Sequence, residues 1–226
     1  MMSAHAAINP RIPASREKGE TQMFTRKGIL QAAAMIAVLT LFAACGGVSG
    51  GTYTINSGDW PWFWPDRPSF VVNKTFSETV PVAGRERIRL VAVNGGVVIT
   101  GQPGATSVTV TANLRAGSNV SRADAEYGLD RLTVRVEETA GEILVRTMQP
   151  GTLDGRRYLA DYEVTVPGDL VVEVTQINGH VTVEDLENSL LVTVENGSVF
   201  STVNLPPGGE ITLWAGNGDL DLHIPT

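Results

Sequence analysis

From Phe70 onward, apolar and polar residues alternate in short runs separated by Gly, Asn, Asp and Pro. Alternation of period two gives strands with one buried face. Within Val164–Pro225 the alternation carries a recurring phrase: Asn-Gly, one further residue, then apolar-x-apolar. It reads Asn178-Gly179-His180-Val181-Thr182-Val183, then Asn196-Gly197-Ser198-Val199-Phe200-Ser201, then Asn217-Gly218-Asp219-Leu220-Asp221-Leu222. An earlier copy stands at Asn94-Gly95-Gly96-Val97-Val98-Ile99. Asn-Gly suits a backbone that needs positive φ, so each pair is a structural turn.

Two strands about Asn-Gly ordinarily form a hairpin. The spacing here argues otherwise. The later pairs lie 18 and 21 residues apart, and Val164-Thr165-Val166-Pro167 matches Val203-Asn204-Leu205-Pro206 at an offset of 39, the sum of the two. Two landmarks held in phase near twenty residues are the mark of a solenoid whose coils bury their apolar faces on one another. The expected fold is therefore all-β: a β-solenoid, single-stranded β-helix-like, with one short helix and a hairpin insertion. A β-sandwich or meander is the alternative. Leu222-His223-Ile224-Pro225 repeats the strand-Pro phrase, so a further coil would place its Asn-Gly beyond Thr226, and the β-repeat domain, 70–226, is expected to be C-terminally incomplete.

Before the second copy the pattern is less regular. Phe70–Val80, Glu86–Val93, Val97–Ile99 and Val108–Leu114 read as strands. Ser121 is a good N-cap for a short helix, with Gly128 as its stop. Leu132–Glu138 and Glu142–Thr147 flank Ala140-Gly141 as a hairpin, Gln149–Arg157 is a loop with an exposed Arg156-Arg157 pair, and Asp161–Val166 leads into the later repeats.

The start of the chain is different in kind. Residues 1–22 are polar and aperiodic, and read as a non-native upstream extension with Met23 as the initiator. Arg26-Lys27 followed by the apolar run Gly28–Ala44 gives residues 23–44 the form of a signal peptide. Cys45 follows the small residues Ala43-Ala44 and is the one cysteine of the chain, so no intrachain disulfide exists. Residues 45–69 open with a Gly/Ser/Thr tether and contain Trp60-Pro61-Trp62-Phe63-Trp64-Pro65, read as a plug over the first coil, with a membrane-interface contact or a sugar-stacking platform as the other readings.

The charge sharpens this only a little. The whole chain carries −7; removing five basic and two acidic residues before Cys45 leaves 12 against 22, or −10. Nothing basic is clustered, which argues against a nucleic-acid partner, and the acidity reads as solubility.

No constellation of reactive side chains stands out in the chain. His180 and His223 sit at outward strand positions without metal-ligand spacing, so no metal and no cofactor is expected. Ser189, Ser198 and Ser201 lack a nucleophile setting, and no catalytic residue is assigned. Asp185, Glu187 and Glu195 could meet on adjacent coils as a carboxylate pair, although solvated strand faces and turns explain them better. Asp219 and Asp221 are too few for calcium.

Leu41-Phe42-Ala43-Ala44-Cys45 resembles the lipobox of bacterial lipoproteins, which implies lipid attachment at Cys45; Phe42 stands where leucine is usual. Together with Asn94-Gly95, the helix-plus-hairpin insertion, Tyr162-Glu163-Val164-Thr165-Val166-Pro167 and the Asn-Gly run, the chain resembles a bacterial family named putative adhesins, envelope proteins of β-strand repeats. The resemblance covers about 70–226 and implies a β-solenoid outside the cytoplasmic membrane. The expected function is a non-catalytic binding or adhesion surface, anchored to a membrane through Cys45 and offered to an envelope or extracellular protein or glycan. A polysaccharide-acting solenoid enzyme and a structural or stress-related envelope component are the rival readings.

Overall fold

The computed structural model describes residues 67–151 and 155–225. The alternating runs form thirteen strands. They are β1 (Phe70–Pro81), β2 (Arg87–Asn94), β3 (Val97–Gln102), β4 (Ser107–Ser118), β5 (Thr133–Glu138), β6 (Glu142–Met148) and β7 (Arg157–Pro167), followed by β8 (Val171–Asn178), β9 (Val181–Leu186), β10 (Leu190–Asn196), β11 (Val199–Val203), β12 (Ile211–Asn217) and β13 (Leu220–His223). A helix, α1 (Arg122–Asp130), lies between β4 and β5.

The strands make two mixed sheets. One has seven strands in the order β1-β4-β7-β3-β9-β11-β13, the other six in the order β12-β10-β8-β2-β6-β5. The two strands about each Asn-Gly fall in different sheets, so the pair is not a hairpin turn but a corner between sheets. Strand follows strand in parallel: β2, β8, β10 and β12 on one side, β3, β9, β11 and β13 on the other. The register places Asn94 opposite Asn178, Asn178 opposite Asn196, and Asn196 opposite Asn217.

Side-chain alternation then puts one apolar row per strand inside. Leu90, Val174 and Val192 from the six-stranded sheet and Ile99, Val183 and Val199 from the seven-stranded sheet belong to one core. In the last unit the same inward row is uncovered: Leu220, Leu222 and Ile224 are exposed, and Ile211 and Leu213 are half-buried.

The long insertion between the first and second Asn-Gly units, together with β1, extends both sheets on the opposite side. There β1, β4 and β7 are antiparallel neighbours, and β5 pairs antiparallel with β6. Helix α1 sets Ala125, Gly128 and Leu129 inward. Its N-cap is Ser121, whose Oγ accepts from the Asp124 N–H at 3.1 Å.

Two local expectations are corrected here. Gly128 does not stop the helix, which runs on to Asp130 with Arg131 as C-cap. A side chain at Gly128 would meet the Tyr158 ring at 3.3 Å and the Arg156 side chain at 3.0 Å, so this glycine serves close packing. The pair Arg156-Arg157 is partly buried rather than exposed. Arg156 forms an ion pair with Asp124, and its guanidinium lies 5.0 Å from the centre of the Tyr127 ring.

Charged groups finish this end of the molecule. Hydrogen bonding from Ser118, then from Arg156, holds the Asp124 carboxyl below its ordinary range. Lys74 Nζ donates to the Leu129 carbonyl at 2.8 Å, near the helix C-terminus where a cation is favoured. Partial burial lowers the Lys74 pKa, with Asp130 opposing.

Candidate functional site

The Asn-Gly corners are built as a continuous ladder. Asn178 Nδ2 donates to Asn94 Oδ1 at 2.8 Å, Asn196 Nδ2 to Asn178 Oδ1 at 3.0 Å, and Asn217 Nδ2 to Asn196 Oδ1 at 2.8 Å. Asn94 Nδ2 closes the row on the Tyr158 carbonyl. Backbone bonds run the other way: the N–H groups of Gly95, Gly179 and Gly197 donate to the carbonyls of Asn178, Asn196 and Asn217. Gly95, Gly179, Gly197 and Gly218 have φ of +129°, +135°, +149° and +147°. A Cβ at Gly179 would stand 1.7 Å from the Gly95 carbonyl oxygen, and one at Gly197 would stand 1.8 Å from that of Gly179. Backbone thus lies on backbone, and only glycine fits both the dihedral and the gap. The eight turn residues hold neighbouring units in register through these side-chain and backbone bonds.

The residue after each glycine stands just before its strand of the seven-stranded sheet; His180 and Asp219 are exposed there, Gly96 is half-buried and Ser198 is buried. There Asp161, Gly96, His180, Ser198 and Asp219 follow one another across neighbouring strands. Asp161 Oδ1 accepts from the Gly96 N–H at 2.8 Å, His180 Nδ1 from the Ser198 N–H at 3.1 Å, and Ser198 Oγ from the Asp219 N–H at 3.1 Å. His180 is therefore an acceptor in a strand-edge row. On β4, the register sets Asn113 beside Asp161 and Thr75 beside Asn113.

The outer face itself is dominated by short polar side chains. Thr75, Ser77 and Thr79 from β1, Thr109 and Thr111 from β4, Thr165 from β7, Thr100 from β3, Thr182 from β9 and Thr202 from β11 all point outward by alternation. Thr79 and Thr109 share a hydroxyl–hydroxyl hydrogen bond at 3.1 Å. Apolar groups interrupt the rows at Val98 and Phe200, both exposed.

A shallow recess of about 340 Å³ lies in this face, lined by Thr75, Thr111, Asn113, Asp161, Glu163, Gly96 and Val98. Arg115 Nη2 pairs with Asp161 Oδ2, so both Asp161 oxygens are engaged. Asn113 Oδ1 is buried and accepts no hydrogen bond among the described residues.

Other residues singled out in the sequence are dispersed. Asp185 has φ +54° at an irregularity in β9 that turns Leu186 inward, and its carbonyl oxygen lies 2.2 Å from where a Gly101 Cβ would be. Glu195 belongs to β10 in the six-stranded sheet, so it shares no outer face with Asp185. Ser189 Oγ accepts from the Glu210 N–H, and Ser201 is buried. His223, Asp219 and Asp221 are exposed in the last unit. Cys45 and the Trp60–Pro65 stretch lie outside the described residues. Among the described residues no helix is long and apolar enough to cross a membrane.

No protein-family model matches the chain, and no curated protein is significantly similar to it. Among solved structures it is similar to a putative cell adhesion protein from Clostridium sporogenes, at 13% identity and a TM-score of 0.41, over 68% of this chain and 100% of that one. It is also similar to a putative adhesin from Parabacteroides distasonis, at 12% identity and a TM-score of 0.21, over 58% of this chain and 53% of that one.

The recess residues had no signal in the sequence as a group. Thr75, Asn113, Asp161 and Gly96 come from β1, β4, β7 and β3, which register alone brings side by side. The alternation Thr75-x-Ser77-x-Thr79 and Thr109-x-Thr111-x-Asn113 marks outward hydroxyls, but not which strands are neighbours.

Proposed function

We propose that this chain is a lipid-anchored cell-envelope protein whose β-repeat domain is a non-catalytic binding or adhesion module. In this reading the four Asn-Gly units are coils of a β-solenoid, and the insertion is its N-terminal cap. The observation that carries the binding role is the outer face of the seven-stranded sheet. It is wide and regular, with rows of threonine hydroxyls interrupted by exposed Val98 and Phe200. Val98 and Phe200 flank Thr182 in one cross-strand row, so a methyl surface, a hydroxyl and an aromatic ring are presented side by side, and aromatic groups are enriched at recognition surfaces. The asparagine ladder and stacked glycines support the role by keeping that face rigid, which lowers the entropy lost on binding.

The anchor follows from Leu41-Phe42-Ala43-Ala44-Cys45 and the Gly/Ser tether after it. A tethered module facing outward would place the hydroxyl-rich face in reach of envelope or extracellular glycans and proteins.

The test is made in bacterial cells expressing the whole chain. Cys45→Ser should move the protein out of the membrane fraction and abolish labelling by a palmitate analogue. Val98→Asp combined with Phe200→Asp should leave membrane fractionation intact and reduce attachment of the cells to a glycan- or protein-coated surface. Unchanged attachment in that double variant would show that the outer face is not the binding surface.

A further inference from the structure

We infer that the recess around Gly96 is a binding site for a neutral sugar ring, a reading that rests on the binding role proposed above. Four observations converge on it. The first is why the recess exists. In the row after the stacked glycines, the other units carry His180, Ser198 and Asp219, whereas the first carries Gly96. A Cβ at Gly96 would meet only Asp161 Oδ1, at an ordinary 3.7 Å, so the turn does not require glycine here. At Gly95, by contrast, the Ala160 carbonyl oxygen lies 2.1 Å from a Cβ position. What the missing side chain does at Gly96 is open the floor of the face.

The second is Asn113, whose half-buried side chain lines the recess and offers it an amide. The third is the balance of groups. Thr75 and Thr111 offer hydroxyls that both donate and accept, Glu163 offers an exposed carboxylate, and Val98 offers an exposed methyl surface. A sugar ring presents this complement: hydroxyls at its rim and a C–H face.

The fourth is charge. Arg115 is committed to Asp161, so the lining carries the uncompensated charge of Glu163 and repels an anionic sugar. The volume of about 340 Å³ is at the small end of the range for small-ligand sites, which suits one ring of a chain running across the open face.

The experiment uses the full chain carrying Cys45→Ser to remove the lipid. Its migration is followed in native gels containing dextran, mannan or xyloglucan, with a uronate polymer and polylysine as the charged comparisons. Retardation is expected in at least one neutral polysaccharide and not in the uronate polymer. Gly96→Leu should weaken that binding at least tenfold without lowering the melting temperature, since the recess has room for the added side chain and its Cβ position meets only Asp161 Oδ1, at 3.7 Å. Asn113→Ala should weaken it several-fold, and Thr202→Ala, distant on the same face, should leave it unchanged.

Neutral-polysaccharide binding that survives Gly96→Leu overturns the inference. So does retardation by polylysine alone, or by none of the polymers. If Gly96→Leu cells still attach through a face sensitive to Phe200→Asp alone, which lies outside the recess, the recess assignment falls while the adhesion reading stands.

Discussion

Replacing Gly179 by Ala is the most direct probe of how the units are stacked. Two costs arise together. At φ +135° an L-residue is strained, by roughly 1–3 kcal/mol. The new Cβ would also sit 1.7 Å from the Gly95 carbonyl oxygen, and the contact must open to at least 3.0 Å. Opening it separates two units at the corner where the Gly95 N–H donates to the Asn178 carbonyl at 3.0 Å and Asn178 Nδ2 donates to Asn94 Oδ1 at 2.8 Å. Losing two such bonds costs about 1 kcal/mol each, for a total on the order of 4 kcal/mol. Gly104→Ala is the comparison, because Gly104 has φ +73° and nothing within 4 Å of its Cβ position. There only the left-handed penalty applies, about 1 kcal/mol. For a domain of this size the melting temperatures should fall by more than about 8 °C and by about 3 °C, respectively. Denaturant unfolding of both variants beside the wild type gives the free energies, provided the slopes agree. Equal losses at Gly179 and Gly104 would refute the reasoning, because they would mean that the stacked backbone gives way without cost.

Other variants probe other parts of the fold. Leu190→Ala should cost about 2–4 kcal/mol because Leu190 is buried between units, whereas Leu222→Ala in the uncovered last unit should cost less than about 1 kcal/mol; equal losses in denaturant unfolding would contradict the burial pattern. Ser201→Val should stabilise the domain by about 1 kcal/mol, since the Ser201 hydroxyl sits in an inward row between Val183 and Leu222 with only a 3.5 Å contact to the Asp221 carbonyl; a lower melting temperature would show that this contact matters more than burial of the added methyls. Asp124→Asn bears on pH. The folded Asp124 pKa lies below its ordinary 3.8, so its stabilising contribution is present above that value and is lost as pH falls through the depressed folded pKa. The variant should be less stable than wild type at neutral pH, with the difference vanishing under acid conditions; a difference that stays constant with pH would contradict the assignment.

Several features were legible in the chain before any fold was known. Period-two alternation marks strands because successive side chains of an extended backbone point to opposite faces, and that rule is local. The Asn-Gly spacings of 18 and 21 residues carry the register of the later units, because each parallel neighbour repeats the same path and must return to the same corner. Ser121 as an N-cap is local too. The glycine stop at 128 failed for the complementary reason: whether a glycine ends a helix or admits a neighbour depends on Tyr158, thirty residues away in sequence.

The same limit governs the site. Nothing in the order of residues says that β4 and β7 lie between β1 and β3, since that follows from where an 84-residue excursion between Asn94 and Asn178 packs. The Arg115–Asp161 pair, the unpartnered Asn113 oxygen and the notch at Gly96 all depend on that packing. Alternation along a strand is set by covalent geometry and can be read from sequence; adjacency between strands is chosen by core burial over the whole domain, and only the tertiary structure decides it.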